Sequence, residues 1–292
     1  MSIRSHAREH AVTLATSDRL EQLVLRSPAV RRTVLRRALR YVAGLDERAA
    51  LTVVADLSLA GLDASVDLFG ENADDPVAAD AVVERYRALI GLLAAQPGTY
   101  LSLDCSHLAL DRDPVACRAR VERIAASLPA GARLQLGAEQ AARTDAILEL
   151  ARAAAVAGAP LMQTVQANLR RSPDDVERLV ASGVPIRLVK GAYPEREEVA
   201  HPWGAETDQA YVALAERLVA LGAEHALATH DPALLDRLLA GRSGVHVEFL
   251  LGIRPEHAHE LVAAGHHVRI YVPYGERWFR YYARRAAESL GP

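Results

Sequence analysis

The chain has 292 residues, half of them hydrophobic and 24% charged, with a formal net charge of -3; that length suits two small domains or one large one, and single α/β barrels occupy roughly 250 residues. Interspersed charges of both signs give no broad field for nucleic acid, and the basic cluster over 31–40 reads as a solvated helix face. No apolar run approaches the ~18 to 20 residues of a membrane span, the start 1–10 lacks an apolar signal core, and Cys105 and Cys117 lack the spacing of a disulfide framework or thiolate zinc site, so a cytoplasmic protein is expected.

Residues 1–60 read as two or three amphipathic helices without strand signals. From 61 to 292, short apolar runs alternate with longer Ala/Leu/Arg stretches of helical period, the pattern of a parallel sheet with crossover helices. Eight strands are predicted, over 62–68, 100–104, 133–137, 162–167, 186–190, 226–229, 245–250 and 268–272. Helix punctuation falls between them. Ser172-Pro173 opens a helix that Gly183 closes, Asp231-Pro232 opens one that Gly241 closes, and Pro255 starts one ending near Gly265. Each combines an N-cap or first-turn proline with a C-terminal glycine. Eight strand and helix units in this length predict a (βα)8 TIM-like barrel, α/β in class, preceded by N-terminal helices.

In such barrels the chemistry sits at the C-terminal ends of the strands. Those positions carry Asp67 and Glu71, Asp104, Ser106 and His107, Glu139, Gln166 and Asn168, Lys190 and Tyr193, Thr229-His230-Asp231, Glu248, then Tyr271 and Tyr274. Arg187 and Lys190 flank an apolar strand at an odd separation, which sends them to opposite faces unless the backbone bulges near Gly191. Lysine at a barrel strand end is also compatible with imine chemistry. On the last helix Arg284 and Arg285 lie beside Trp278, Phe279, Tyr281 and Tyr282, with Glu288 one turn later. Adjacent guanidinium groups beside aromatic walls suit a small carboxylate, which arginine grips through two parallel hydrogen bonds.

Two stretches, Arg187-Leu-Val-Lys-Gly-Ala-Tyr193 and the run from Tyr271 to Arg285, resemble the signature segments of the proline dehydrogenases. The similarity runs in register from about Gly61 to Glu288. It implies a flavoenzyme that uses FAD to oxidise L-proline to 1-pyrroline-5-carboxylate, in proline catabolism. It further implies that Arg187, Lys190, Gly191, Ala192 and Gln166 contact the flavin and that Thr229 and His230 hold its phosphates. Arg284 and Arg285 then bind the substrate carboxylate, Glu288 and Tyr193 lie in the pocket, and Tyr271 packs on the ring. Electrons in this family often pass to a membrane quinone, which would make the protein peripheral to the membrane without an integral segment.

Four positions depart from the family pattern. Its lysine at the end of the second strand is Asp104 here, and the aspartate that pairs with that lysine is Gly137. Losing one partner alone would leave a buried charge uncompensated at a cost of ~3 to 5 kcal/mol, so joint loss is the tolerated form. Asp104 is then expected to pair with Arg284 or Arg285 and to face the substrate. The strand-seven stretch Glu248-Phe-Leu-Leu-Gly252 is about two residues short, and Asn168 replaces a tyrosine. These changes leave open a flavin-dependent dehydrogenase of another cyclic or secondary amino acid in a biosynthetic pathway, or a non-catalytic relative.

Overall fold

The computed structural model describes residues 18–93 and 98–289. Among the described residues three helices come first, α1 (Asp18–Arg26), α2 (Pro28–Ala38) and α3 (Glu47–Leu59). The proline at the first position of α2 and the carboxylate of Asp46, which accepts from Ala49 N–H at 2.9 Å, fix where α2 and α3 begin.

Eight parallel strands close in chain order into a barrel, with β8 paired back onto β1. They are β1 (Asp63–Leu68), β2 (Tyr100–Leu103), β3 (Leu134–Leu136), β4 (Leu161–Gln166), β5 (Ile186–Val189), β6 (His225–Ala228), β7 (His246–Leu250) and β8 (His267–Tyr274). All eight predicted strands are present, their ends displaced by one or two residues. The crossover helices are α4 (Pro76–Leu93), α5 (Pro114–Ala125), α6 (Thr144–Val156), α7 (Ser172–Ala181), α8 (Ala205–Ala220), α9 (Pro232–Leu239) and α10 (Pro255–Ala263), and α11 (Trp278–Ser289) follows β8. Asp231 caps α9 by accepting from the N–H groups of Ala233 and Leu234.

The side-chain alternation of the strands divides the molecule into two layers of different chemistry. Ala64, Val66 and Leu68 on β1, Leu134 and Leu136 on β3, and Ile186 and Leu188 on β5 belong to the main core, packed against helices. The opposite face of the same strands fills the barrel interior and is polar. Gln135 on β3 donates to Glu248 on β7 at 2.6 Å, a bond that crosses the barrel. Arg269 on β8 reaches Asp63 at 3.2 Å and lies 3.5 Å from the Tyr100 ring centroid. Buried charge of this kind persists only when paired, as the Arg269 guanidinium is by Asp63.

A second core joins the N-terminal helices to the last one. Ala38, Tyr41 and Val42 pack with Trp278, Phe279, Tyr281 and Ala283, and Arg280 pairs with Glu21 at 2.8 Å. The helix carrying Arg284 and Arg285 is therefore seated between the barrel and the chain's first helices. Meanwhile α3 lies across β1 and β8, taking the place of an outer barrel helix.

Candidate active site

β5 is four residues long, and its alternation answers the question posed by Arg187 and Lys190. Arg187 turns into the barrel, where its Nε lies 2.5 Å from Glu248 Oε2. Lys190 turns to the helical layer, where Nζ meets Asp208 on α8 at 2.6 Å and Asp231 at 2.9 Å. Two carboxylates thus hold that ammonium on the helical side of β5. Lys190 is followed by Gly191 and the exposed Ala192. Gly191 has φ +115, and a Cβ there would stand 2.0 Å from Asn168 Oδ1. Only glycine fits that position.

Around this strand end lie further groups that the sequence singled out. Gln166 is buried and donates from Nε2 to the Glu139 carbonyl at 2.9 Å. Asn168 is buried with no hydrogen-bond partner for Oδ1. Thr229 accepts from Asp231 N–H at 3.2 Å. His230 Nε2 accepts from Leu250 N–H at 2.8 Å, so in the neutral ring Nδ1 carries the proton and is a donor. Burial, followed by Arg285, Arg187 and Arg254, pushes the His230 pKa down to about 3, so the neutral form prevails.

On the other side of the mouth, Tyr271 donates its hydroxyl to Asp67, which also accepts from Tyr86 at 3.0 Å. Burial raises the Asp67 pKa to about 7 against the pull of these two donors. Arg284 lies 3.5 Å from Glu71. That corrects the expected pairing of Arg284 with Asp104: the carboxylate closest to Arg284 comes from the loop after β1, while Asp104 feels Arg284 only at longer range. Arg285 stands 5.5 Å from the Tyr281 ring centroid. Tyr193 is half-buried, its pKa raised by burial and by the negative charges of Asp104 and Glu71. Glu288 lies in α11, but its side chain falls outside the described residues.

Glu139 organises the loops. Its carboxylate accepts from Ser106 N–H at 2.9 Å and from Arg143 at 2.8 Å. Arg143 also binds Asp111 and, at 2.6 Å, Asn72, so one arginine ties together the loops after β1, β2 and β3. Tyr274 points elsewhere, 3.3 Å from Glu47. Sequence reasoning did not assign Glu248, Asp67 and Glu71 their roles as partners of Arg187, Tyr271 and Arg284. Their position at strand ends was the available signal; Tyr86, a core-like aromatic on α4, offered none.

The result is a (β/α)8 barrel with arginines, tyrosines and carboxyl groups gathered at the C-terminal mouth of its strands, the place where such barrels carry out catalysis. The proline dehydrogenase family model matches residues 50–290. The chain is 32% identical over 260 residues to proline dehydrogenase 1 of Bacillus subtilis, covering 86% of each chain. It is 32% identical over 299 residues to proline dehydrogenase of Deinococcus radiodurans, covering 97% of this chain and 94% of that one. The chain belongs to the proline dehydrogenase family. Among solved structures, proline utilization A from Bdellovibrio bacteriovorus, inactivated by N-propargylglycine, superposes with a TM-score of 0.82 at 21% identity, covering 99% of this chain and 37% of that one. A mutant of proline utilization A from Bradyrhizobium japonicum gives 0.73 at 24% identity, with 92% and 33% covered. These likenesses show the fold, and this chain spans about a third of those longer proteins.

Proposed function

We propose that this protein oxidises L-proline to 1-pyrroline-5-carboxylate with FAD as its cofactor. The observation that carries the reading is the pairing, within one barrel mouth, of Arg187 held by Glu248 with the adjacent Arg284 and Arg285 on α11, in a chain of this family.

The strand ends of β4, β5 and β6 fit a flavin. They offer a buried, unpartnered Asn168 oxygen, packed where a side chain at Gly191 would stand, and a His230 Nδ1–H donor. Gln166, Arg187, Lys190, Gly191 and Ala192, and Thr229 with His230 would hold it. FAD, when bound, supplies the acceptor for the hydride that proline loses. Arg187, held in place by Glu248, would set positive charge beside a cofactor that takes up electrons. Arg284 and Arg285 grip the substrate carboxylate, and the rings of Tyr271 and Tyr193 enclose its apolar ring, excluding water.

A quinone is the proposed final electron acceptor, reached from the cytoplasmic side with the protein peripheral to the membrane. Among the described residues no helix is long and apolar enough to cross one. The test of function is the visible spectrum of the FAD-loaded protein during anaerobic addition of L-proline. Bleaching of the flavin bands is expected. Bound flavin that stays oxidised under proline, yet bleaches with another cyclic secondary amino acid, would replace the substrate named here.

A further inference from the structure

Asp104 follows β2 and occupies the N-cap of the short 3-10 turn Cys105–Leu108. An aspartate at an N-cap ordinarily commits its carboxylate to the first free N–H groups of the turn. This one does not. It makes no capping hydrogen bond, because Glu139 reaches across from beyond β3 and takes Ser106 N–H at 2.9 Å. The Asp104 side chain instead leans over the end of β3, where Gly137 leaves the space: a Cβ at Gly137 would stand 1.8 Å from Asp104 Oδ1.

That carboxyl lies within electrostatic reach of Asp67 on β1, Glu71 in the loop after it, Glu139 beyond β3, Tyr193 beyond β5, Tyr271 on β8 and Arg284 on α11. The other acids are engaged. Glu139 is held by Arg143, Glu71 lies against Arg284, and Asp67 accepts from two tyrosines. Asp104 makes no side-chain hydrogen bond or ion pair with any described residue. Burial, with the negative charges of Asp67 and Glu139, holds its pKa well above the ordinary carboxylate range. A shielded carboxyl without a partner is costly unless a ligand or a proton completes it.

We propose that Asp104 contacts the substrate, binding the ammonium group of the amino acid and accepting one of its protons. This rests on the reading of the site as one for proline. An α-amino acid carries its ammonium and carboxylate on the same carbon, so a carboxyl group that feels Arg284 is placed to take the one while the arginines take the other. In the step itself one N–H bond of the secondary ammonium breaks, its electron pair stays on nitrogen, and an O–H bond forms at Asp104. The amine is left neutral, the form from which hydride departs.

The test compares the FAD-loaded wild-type protein with Asp104→Asn, using L-proline and its cyclic ether isostere, in which ring oxygen replaces the N–H group. Ether-acid binding is followed by perturbation of the flavin spectrum, and proline binding by the concentration dependence of anaerobic bleaching. Asp104→Asn should weaken proline about tenfold, the effect of losing a charge-assisted hydrogen bond, while ether-acid affinity holds or improves. The acidic limb of the kcat/KM profile for proline should move toward the pKa of the free amine. Equal weakening of both ligands, or an unchanged proline affinity and pH profile, would overturn the assignment while leaving proline as substrate. A wild-type protein that binds the ether acid and neither binds nor is bleached by proline would overturn the substrate reading and this role together. Ether-acid binding by the variant reports that the site is formed; Asp104→Ser makes the same comparison if the amide variant fails to fold.

Discussion

Arg187 and Glu248 meet 2.5 Å apart although a whole strand separates them. The bond passes over β6, where Ala226 stands in register with Arg187 and Ala228 with Glu248; two alanines leave the room that larger side chains would fill. Glu248 is 1% exposed and also holds Gln135 at 2.6 Å. Glu248→Ala therefore strands a guanidinium and an amide together, and a loss of about 3 to 5 kcal/mol is expected, read from urea unfolding. Changing both residues to methionine should cost less than Glu248→Ala alone, since no uncompensated charge remains. A double-mutant cycle measures that coupling directly.

Asp67 gives the fold an unusual pH dependence. Its pKa of about 7 lies above the ordinary carboxylate value chiefly because of burial. The folded state thus holds a proton that the unfolded chain has released, and this contribution is complete below about pH 4 and is lost as pH rises through about 7. Asp67→Asn should raise Tm relative to wild type more at pH 8 than at pH 5. Tyr271→Phe should act in the opposite direction on the group itself. Removing a donor to the carboxylate disfavours its charged form, so the Asp67 titration followed by carbon NMR should move upward.

How far the sequence reached depends on whether a feature is local. Asp231-Pro232 and Ser172-Pro173 mark helix starts through near-neighbour chemistry, and both helices begin there. The odd spacing of Arg187 and Lys190 already implied opposite faces, and the structure places them so. Partner choice was another matter. Arg284 meets Glu71 rather than Asp104 because the loop after β1 brings Glu71 within reach, and loop paths leave no periodic trace. Nor does sequence indicate that the Tyr86 hydroxyl, on a buried helix face, reaches Asp67 and the Ser102 carbonyl.

Two histidines oppose Asp67 in acid. Burial, then nearby arginines, lowers His107 to about 4 and His230 to about 3, against about 6.5 when unfolded. The unfolded chain therefore binds more protons between those values, and stability falls as pH drops below 6.5. His230→Gln keeps an acceptor for Leu250 N–H and removes the titration. Its unfolding free energy should decline less than that of wild type between pH 6.5 and 4. His107 is fixed differently: a Cβ at Gly70 would stand 1.9 Å from its Nε2. Gly70→Ala should displace the ring, which a shifted histidine resonance would report.

Lys190 tests how charge is divided between the two faces of β5. Its side chain is 31% exposed and its ammonium is shared by Asp208 and Asp231, a setting in which an ion pair is worth about 1 kcal/mol or less. Lys190→Met should therefore destabilise only slightly, because Asp231 still caps α9 through Ala233 and Leu234. Arg187→Met should destabilise more, since it leaves Glu248 buried with no cation closer than Arg269 at 3.9 Å. Thermal unfolding of the two variants side by side gives the order. Borohydride with carbonyl compounds should leave the peptide that contains Lys190 unmodified, because two carboxylates engage its ammonium. A trapped adduct at Lys190 would mean that the ion pairs open readily, and a large destabilisation of Lys190→Met would place its charge inside the barrel's electrostatic core.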